Sequence, residues 1–234
     1  MIVLIIYGKN VVKEAIFAKR KIYQLYLDDR FNDHHFLAFL KDKNISYVNK
    51  NKGELNKLSD QNLHQGVVAE VEPYAYAELN DVLDKNKQQR FIILDGIEDP
   101  HNLGAIMRTA EAVKLDGIII SKKNAVPLNA TVAKVSSGAI EHVKVIAVTN
   151  INQVIRELKD ASVWVVGTDG QTDQTYDDLP KNVSLAIVMG NEGEGIRPLV
   201  KQNCDMLVKI PMYGKINSLN VSVAAALMMY KMLE

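Results

Sequence analysis

The sequence is poor in most features that would commit it to a special environment. One cysteine, Cys204, stands in 234 residues, so no internal disulfide can form and nothing in the fold needs an oxidising compartment. Net charge is absent too: 28 basic residues balance 28 acidic ones, and no global positive field advertises a nucleic acid. There is no long hydrophobic run. The longest, Val221 to Tyr230, is interrupted by Ser222 and falls well short of the ~20 residues of a membrane helix. The opening run from Ile2 to Ile6 is too short for a signal-peptide core and has no basic flank. Repeats and low-complexity tracts are missing as well. What is present is ordinary: a hydrophobic fraction of 47% and a charged fraction of 24%, which exclude disorder and collagen-like chains. These absences predict a cytoplasmic globular protein of one large or two ordinary domains, at roughly 100–200 residues per domain.

The chain reads as two parts. Val11 to Ala18 has a helical pattern after Gly8, Lys21 to Leu27 alternates like a strand, and Asp33 to Asp42 predicts a second helix. Ile45 to Val48 and Gly66 to Val71 read as short strands, which closes a small α/β unit at residues 1–73. Residues 74–89 end in a polar run, DKNKQQR, and form the candidate linker. From Phe91 the pattern is regular, and residues 90–234 form the second domain. The runs FIILD (91–95), GIII (117–120), VKVIAV (143–148), VWVVG (163–167), SLAIVMG (184–190) and MLVKI (206–210) predict strands buried on both faces, most of them separated by helices. That alternation predicts a mostly parallel sheet, whose ligands bind outside the carboxyl ends of the strands.

Three unusual stretches lie just after such strands. In LDGIEDPHNLGAIMRTAEA (94–112), Pro100 and Asn102 open a helix with an apolar stripe. Asn102 suits an N-cap, and Arg108 lies six residues on, about 9 Å of rise at 1.5 Å per residue. Helical side chains lean back toward the N-terminus, so Arg108 can reach over the strand end; its bland alternative is pairing with Glu111 or Asp95. In VMGNEGEGIRPLV (188–200), Gly190, Gly193 and Gly195 follow a buried strand. Their spacing is not that of a dinucleotide fingerprint, and Glu192 and Glu194 sit where a pyrophosphate would have to bind. In KIPMYGKINSLNVSVAAALMMYKM (209–232), Pro211 ends a strand, and a loop through Asn217, Ser218 and Asn220 leads to a helix apolar on more than one side. Ser218 reads as its N-cap; the helix is either central or half of a subunit interface. Cys204 and Trp164 read as core residues. His64 and His101 stand apart from Cys and from each other, and no metal site is expected.

In this order and spacing the three stretches resemble the motifs of the SpoU (TrmH-type) family of RNA ribose 2'-O-methyltransferases, most nearly the bacterial 23S rRNA guanosine 2'-O-methyltransferases. The likeness covers residues 91–234 nearly continuously. The first 75 residues, with YGKNVVKEAI and HQGVVAEV (64–71), resemble the family's ribosomal-protein-L30e-like substrate-binding domain. The resemblance implies an α/β fold with a SPOUT-type trefoil-knotted parallel-sheet catalytic domain, although true knots are close to absent among folds. It also implies a homodimer, an RNA substrate and S-adenosylmethionine as methyl donor. The family's catalytic set maps onto Asn102, Arg108, Glu192, Ser218 and Asn220, all of the expected types, and its cofactor contacts onto Gly190, Ile210 and Leu219. The basic clusters Lys9, Lys13, Lys19, Arg20 and Lys21, then Lys50 and Lys52, are the candidate RNA contacts of the first domain. The same chemistry on tRNA is the nearest alternative. A non-catalytic RNA-binding assembly factor is disfavoured by the intact polar set. A nicotinamide-dependent oxidoreductase is disfavoured by the glycine spacing and Glu192.

Overall fold

The computed structural model describes residues 2–123, 125–191 and 193–234. In chain order the first elements are β1 (Leu4–Tyr7), α1 (Lys9–Phe17), β2 (Ile22–Asp28), α2 (His34–Asp42), β3 (Val48–Lys50), α3 (Lys52–Leu58) and β4 (Val67–Val71). There follow α4 (Leu79–Val82), β5 (Arg90–Asp95), α5 (Pro100–Ala112), β6 (Gly117–Ser121), α6 (Ala130–Val135), β7 (Val145–Val148) and α7 (Ile151–Asp160). The chain ends with β8 (Val163–Thr168), β9 (Ser184–Gly190), α8 (Pro198–Asn203), β10 (Met206–Val208) and α9 (Val221–Lys231). These elements form two compact units: residues 1–75 with 128–142, and residues 76–127 with 143–234.

The first unit holds a four-stranded sheet in the order β1-β4-β2-β3, antiparallel except for the β2–β3 pair. The Asp33 side chain caps α2 by accepting the Phe36 N–H at 3.0 Å. Asn51 and Glu54 close a reciprocal capping box on α3. Sequence pattern marks neither β1 nor α3, and β3 begins at Val48 rather than at the expected Ile45. The end of β2 selects the later residues, pairing Tyr26 with Val48 and Asp28 with Lys50.

Segment 128–142 adds α6 to this unit, Ala130 packing on the Tyr7–Leu55–Val68 cluster. It also brings Glu141, which accepts from Arg20 Nε at 2.8 Å and from the Tyr74 hydroxyl at 3.1 Å. The Arg20 guanidinium lies 3.7 Å from the Tyr74 ring centroid. Burial, with the Glu141 charge beside it, pushes the Tyr74 phenol up. Arg20, one of the candidate RNA contacts, is therefore committed: its side chain is 13% exposed and that of Glu141 2%. Removing one member of a buried pair strands the other, at about 3–5 kcal/mol. Glu141→Ala is expected to lower the unfolding free energy by about 3 kcal/mol, and Glu141→Gln, which still accepts, by less. Urea unfolding curves for the two variants check this, and equal small losses would show that the charge pair contributes nothing.

The second unit is built on a six-stranded, wholly parallel sheet in the order β10-β8-β9-β5-β6-β7. Strand residues alternate between its faces. Phe91, Ile93, Ile119, Val165, Ala186 and Val188 join Ile151, Ile155 and Leu158 of α7 and Val200 of α8 in one cluster. Residues of the opposite parity, Ile92, Leu94, Ile118 and Ile187, are fully buried as well. Burial on both faces is why these strands read as continuous apolar runs. Within stretch 74–89, Ala77 bridges to Ile146 and α4 buries Leu79 and Val82. Trp164, expected in the core, is 44% exposed: it stands on β8 near the sheet end where its neighbour β10 has not yet begun. Cys204 is half-buried, and burial pushes its thiol up to about 11. No helix of the described residues is long and apolar enough to cross a membrane, and among those residues no group of three or more His, Cys, Asp or Glu is placed to hold a metal ion.

Candidate active site

A cavity of about 200 Å³ opens at the carboxyl ends of β8, β9 and β10. Gly190, Ile210 and Leu219 all line it, as does Ser218. Its walls are mostly apolar, with Met189, Val208 and Val221, and one carboxylate, Asp169, reaches it. Asp169 pairs with Lys201 Nζ at 2.7 Å and accepts the Gln171 N–H, and both interactions hold its carboxyl below the usual carboxylate range, the lysine first.

Gly190 ends β9 where the following loop folds back on it. A Cβ at this position would lie 2.1 Å from the backbone carbon of Gly195 and 2.2 Å from the amide nitrogen of Ile196. The loop is closed by paired backbone bonds between Asn191 and Gly195, at 3.1 and 2.9 Å. The Asn191 side chain donates to the Gly96 carbonyl at 3.0 Å and accepts the Gly193 N–H at 2.9 Å. Gly195 takes φ +69°, a left-handed conformation that glycine adopts without strain.

The loop's far limb is anchored through Asp95. This carboxylate, 1% exposed, accepts from Arg197 Nε at 2.8 Å, from Arg197 Nη2 at 2.7 Å and from the Arg197 N–H at 3.1 Å. Both guanidinium nitrogens meet the same oxygen, Oδ1, while the backbone N–H takes Oδ2, and such charge-assisted bonds are stronger than neutral ones. The pair ties the end of β5 to the loop that walls the cavity. Asp95→Asn is expected to weaken the cavity's ligand by about tenfold while costing only about 1 kcal/mol of stability, because Arg197, 54% exposed, keeps access to water once its charge partner is gone. Titration calorimetry beside thermal unfolding separates the two effects, and an unchanged ligand affinity would refute the positioning role.

The neighbouring polar set comes from α5 and α9, which pack on each other. Asn220 Nδ2 donates to Asn102 Oδ1 at 3.0 Å, joining residues 118 apart in sequence. Neither helix starts where the sequence suggested. Pro100 occupies the first turn of α5, so Asp99 is the N-cap and Asn102 lies inside the helix, buried. Asn220, not Ser218, caps α9, accepting the Ser222 N–H at 2.9 Å. Arg108 is exposed on α5 and has no ion pair with a described residue; Asp95, its suggested bland partner, is engaged by Arg197. Glu192 lies outside the described residues. Along α9, Val223, Leu227 and Tyr230 are 49%, 40% and 56% exposed.

Residues 89–230 match the family model described as the SpoU rRNA Methylase family. The chain belongs to that family. Residues 5–77 match the model for RNA 2'-O ribose methyltransferase substrate binding, so by family the protein is a SpoU-type RNA ribose methyltransferase. It is 45% identical over 231 residues to a Bacillus subtilis protein named as a TrmH family tRNA/rRNA methyltransferase, YacO, with 96% of this chain and 92% of the relative covered. Its fold is that of the SpoU methyltransferase AviRb from Streptomyces viridochromogenes, solved with AdoMet, at a TM-score of 0.83 and 21% identity over 99% of this chain and 89% of that one. The A. aeolicus TrmH/SpoU tRNA modifying enzyme matches at a TM-score of 0.56 and 28% identity, covering 65% of this chain and 78% of that one.

Within this SpoU fold, four contributing residues carry no mark in the sequence that singles them out. Thr168 and Asp169 follow β8 and line the cavity, and the rule that selected the other three loops, a polar turn after a buried strand, applies to them equally. Arg197 was legible as a cation after the glycine loop, but its partner Asp95 is 102 residues away. Asn191 pins the loop through its amide, and nothing in sequence distinguishes that role from a turn preference.

Proposed function

We propose that this SpoU protein transfers a methyl group from S-adenosylmethionine to a ribose 2'-oxygen of 23S rRNA, at a guanosine, and works as a cytoplasmic homodimer. One observation carries the reading: Gly190 at the end of β9, with Ile210 and Leu219 from the two ends of the β10–α9 loop, line one cavity at the carboxyl edge of a parallel sheet. Residues 1–73 serve as the RNA substrate-binding domain and residues 90–234 as the methyltransferase domain, the latter threaded as a trefoil knot. The exposed Val223–Leu227–Tyr230 face of α9, spaced for one side of a helix, is the dimer contact.

The cavity suits that donor. Its apolar walls take a heterocycle, the strand-end backbone of Gly190 and Ile210 supplies hydrogen-bonding groups, and Asp169 offers a carboxylate toward a cationic ligand. When bound, the donor supplies a sulfonium-activated methyl group, so no further activation of the electrophile is needed. The protein's task is to bring the hydroxyl close and help remove its proton. A guanidinium stays protonated in proteins and is a poor proton acceptor. Arg108 therefore grips the adjacent phosphate with its fork and stabilises the developing alkoxide, and the 2'-hydroxyl proton leaves through that phosphate. Asn102 and Asn220, already bonded to each other, orient ribose and donor together with Ser218. Glu192 steadies Arg108 or a backbone donor.

The first unit favours rRNA over tRNA, since the tRNA-modifying A. aeolicus relative covers only 65% of this chain. Transfer of labelled methyl from S-adenosylmethionine to separated rRNA and tRNA, from cells lacking the protein, tests the reading. Label is expected in 23S rRNA at an alkali-resistant guanosine linkage. Label confined to tRNA would keep the chemistry and overturn the substrate.

A further inference from the structure

A second cavity lies away from this site. It lies within the first unit, measures about 760 Å³, and is bounded by the β2–α2 loop, the start of α3 and residues 63–66. We propose that it receives an unstacked nucleotide from a single-stranded segment of the RNA substrate. This rests on the RNA-methyltransferase reading and names how the first unit holds that RNA.

The walls suit a base rather than a bare phosphate. Three cations, Lys9, Arg30 and Lys52, face three carboxylates, Asp28, Asp29 and Asp33, so the cavity carries no net field. Lys9 is already paired with Asp33 at 2.6 Å, and Asp28 accepts the Arg30 N–H at 2.9 Å. Arg30 and Lys52 have no ion pair with a described residue and remain for flanking phosphates. Amide side chains from Asn32, Asn51 and Gln65 add polar groups, although the Asn51 oxygen already accepts the Glu54 N–H at 3.0 Å and that of Gln65 accepts from Lys134 Nζ at 3.0 Å.

The cavity also has a braced aromatic wall. Phe31 packs edge-on against Phe36 at 5.7 Å. The ring also lies against Gly66, where a Cβ would meet it at 2.9 Å. Gly66 and Gln65 both take positive φ, +76° and +55°, and that bend brings the loop against the ring. His64 locks the bend: its Nδ1 accepts the Gly66 N–H at 3.0 Å, and its Nε2 meets Asn56 Oδ1 at 2.9 Å. A preformed aromatic plane beside amide groups and phosphate-reaching cations is the equipment with which proteins read splayed-out RNA bases, and a helical duplex keeps those bases stacked and out of reach. Leu63, 74% exposed at the rim, adds apolar contact.

The test uses the full chain. Arg30→Ala with Asn32→Ala changes exposed side chains at the cavity, and Lys41→Ala with Lys43→Ala changes exposed lysines at the other end of α2 as a control. The first pair is expected to raise the KM for rRNA from cells lacking the protein about tenfold at unchanged kcat and cofactor affinity, as befits loss of one phosphate-reaching cation and one base-edge amide. The control pair should move it less than about twofold. A short unstructured RNA carrying 4-thiouridine should crosslink to residues 29–33 or 51–66, and the same RNA annealed to its complement should not compete with it. Equal effects of the two variant pairs, crosslinks confined to other segments, or equal competition by duplex would overturn the proposal. If the wild type transfers no methyl at all, the enzymatic reading fails, and the crosslinking and competition arms still decide the cavity.

Discussion

Replacing Arg108 with lysine should reduce turnover by about a hundredfold, and with alanine by about a thousandfold, while RNA affinity stays near wild type. The difference measures what the side chain does. A lysine keeps the charge, so an effect through field alone would survive the change. A planar fork holding a phosphate and an alkoxide together depends on two donors at fixed separation, which an ammonium does not reproduce. Arg108 is exposed on α5 and not consumed by an ion pair with a described residue, so its removal strands no buried carboxylate and the fold should hold. Single-turnover methyl transfer at saturating RNA reads the effect directly. Near-full turnover of Arg108→Lys would refute the fork, and a parallel fall in thermal stability would mean that the residue is structural.

Gly190→Ala should weaken S-adenosylmethionine binding by about 10- to 100-fold, the equivalent of 1–3 kcal/mol of forced backbone movement. The new methyl would lie 2.1–2.4 Å from three backbone atoms of Gly195 and Ile196, and backbone cannot rotate away as a side chain can. Either β9 or the loop must shift, and both line the cavity. Gly193→Ala is the matched control, since its Cβ would meet only the Asn191 side chain, at 3.7 Å, an ordinary contact. Calorimetric titration of both variants checks the pair. Equal affinities would show that the cavity wall is soft, or that the donor binds elsewhere.

Much of the fold was legible because the strands of the second unit are buried on both faces and announce themselves as apolar runs. All six expected strands from Phe91 onward are present, within a few residues of their expected ends. Legibility failed where local signals are short. The sequence NKGE at 51–54 contains the capping box of α3, but only one buried residue, Leu55, follows to mark a helical face. Helix starts were displaced for a similar reason. Asp99, Asn102, Ser218 and Asn220 are all competent caps by type, and the choice among them depends on Pro100 and on where the chain must turn.

The sequence by itself determined the family, the order of the strands along the chain and the residue types of the site. It did so because burial on both faces and glycine-rich turns leave local marks. Only the tertiary structure decided which residues meet. Asn102 with Asn220, Asp95 with Arg197 and Arg20 with Glu141 are pairs separated by more than 100 residues, and no periodicity encodes them. The same holds for residues 128–142, which lie between two strands of the second unit in sequence yet pack in the first. Hydrogen bonds and ion pairs act over a few ångströms of space, whereas sequence patterns report the few residues on either side. The cavity beside Phe31 is the clearest instance, since its walls come from four separate stretches that only folding brings together.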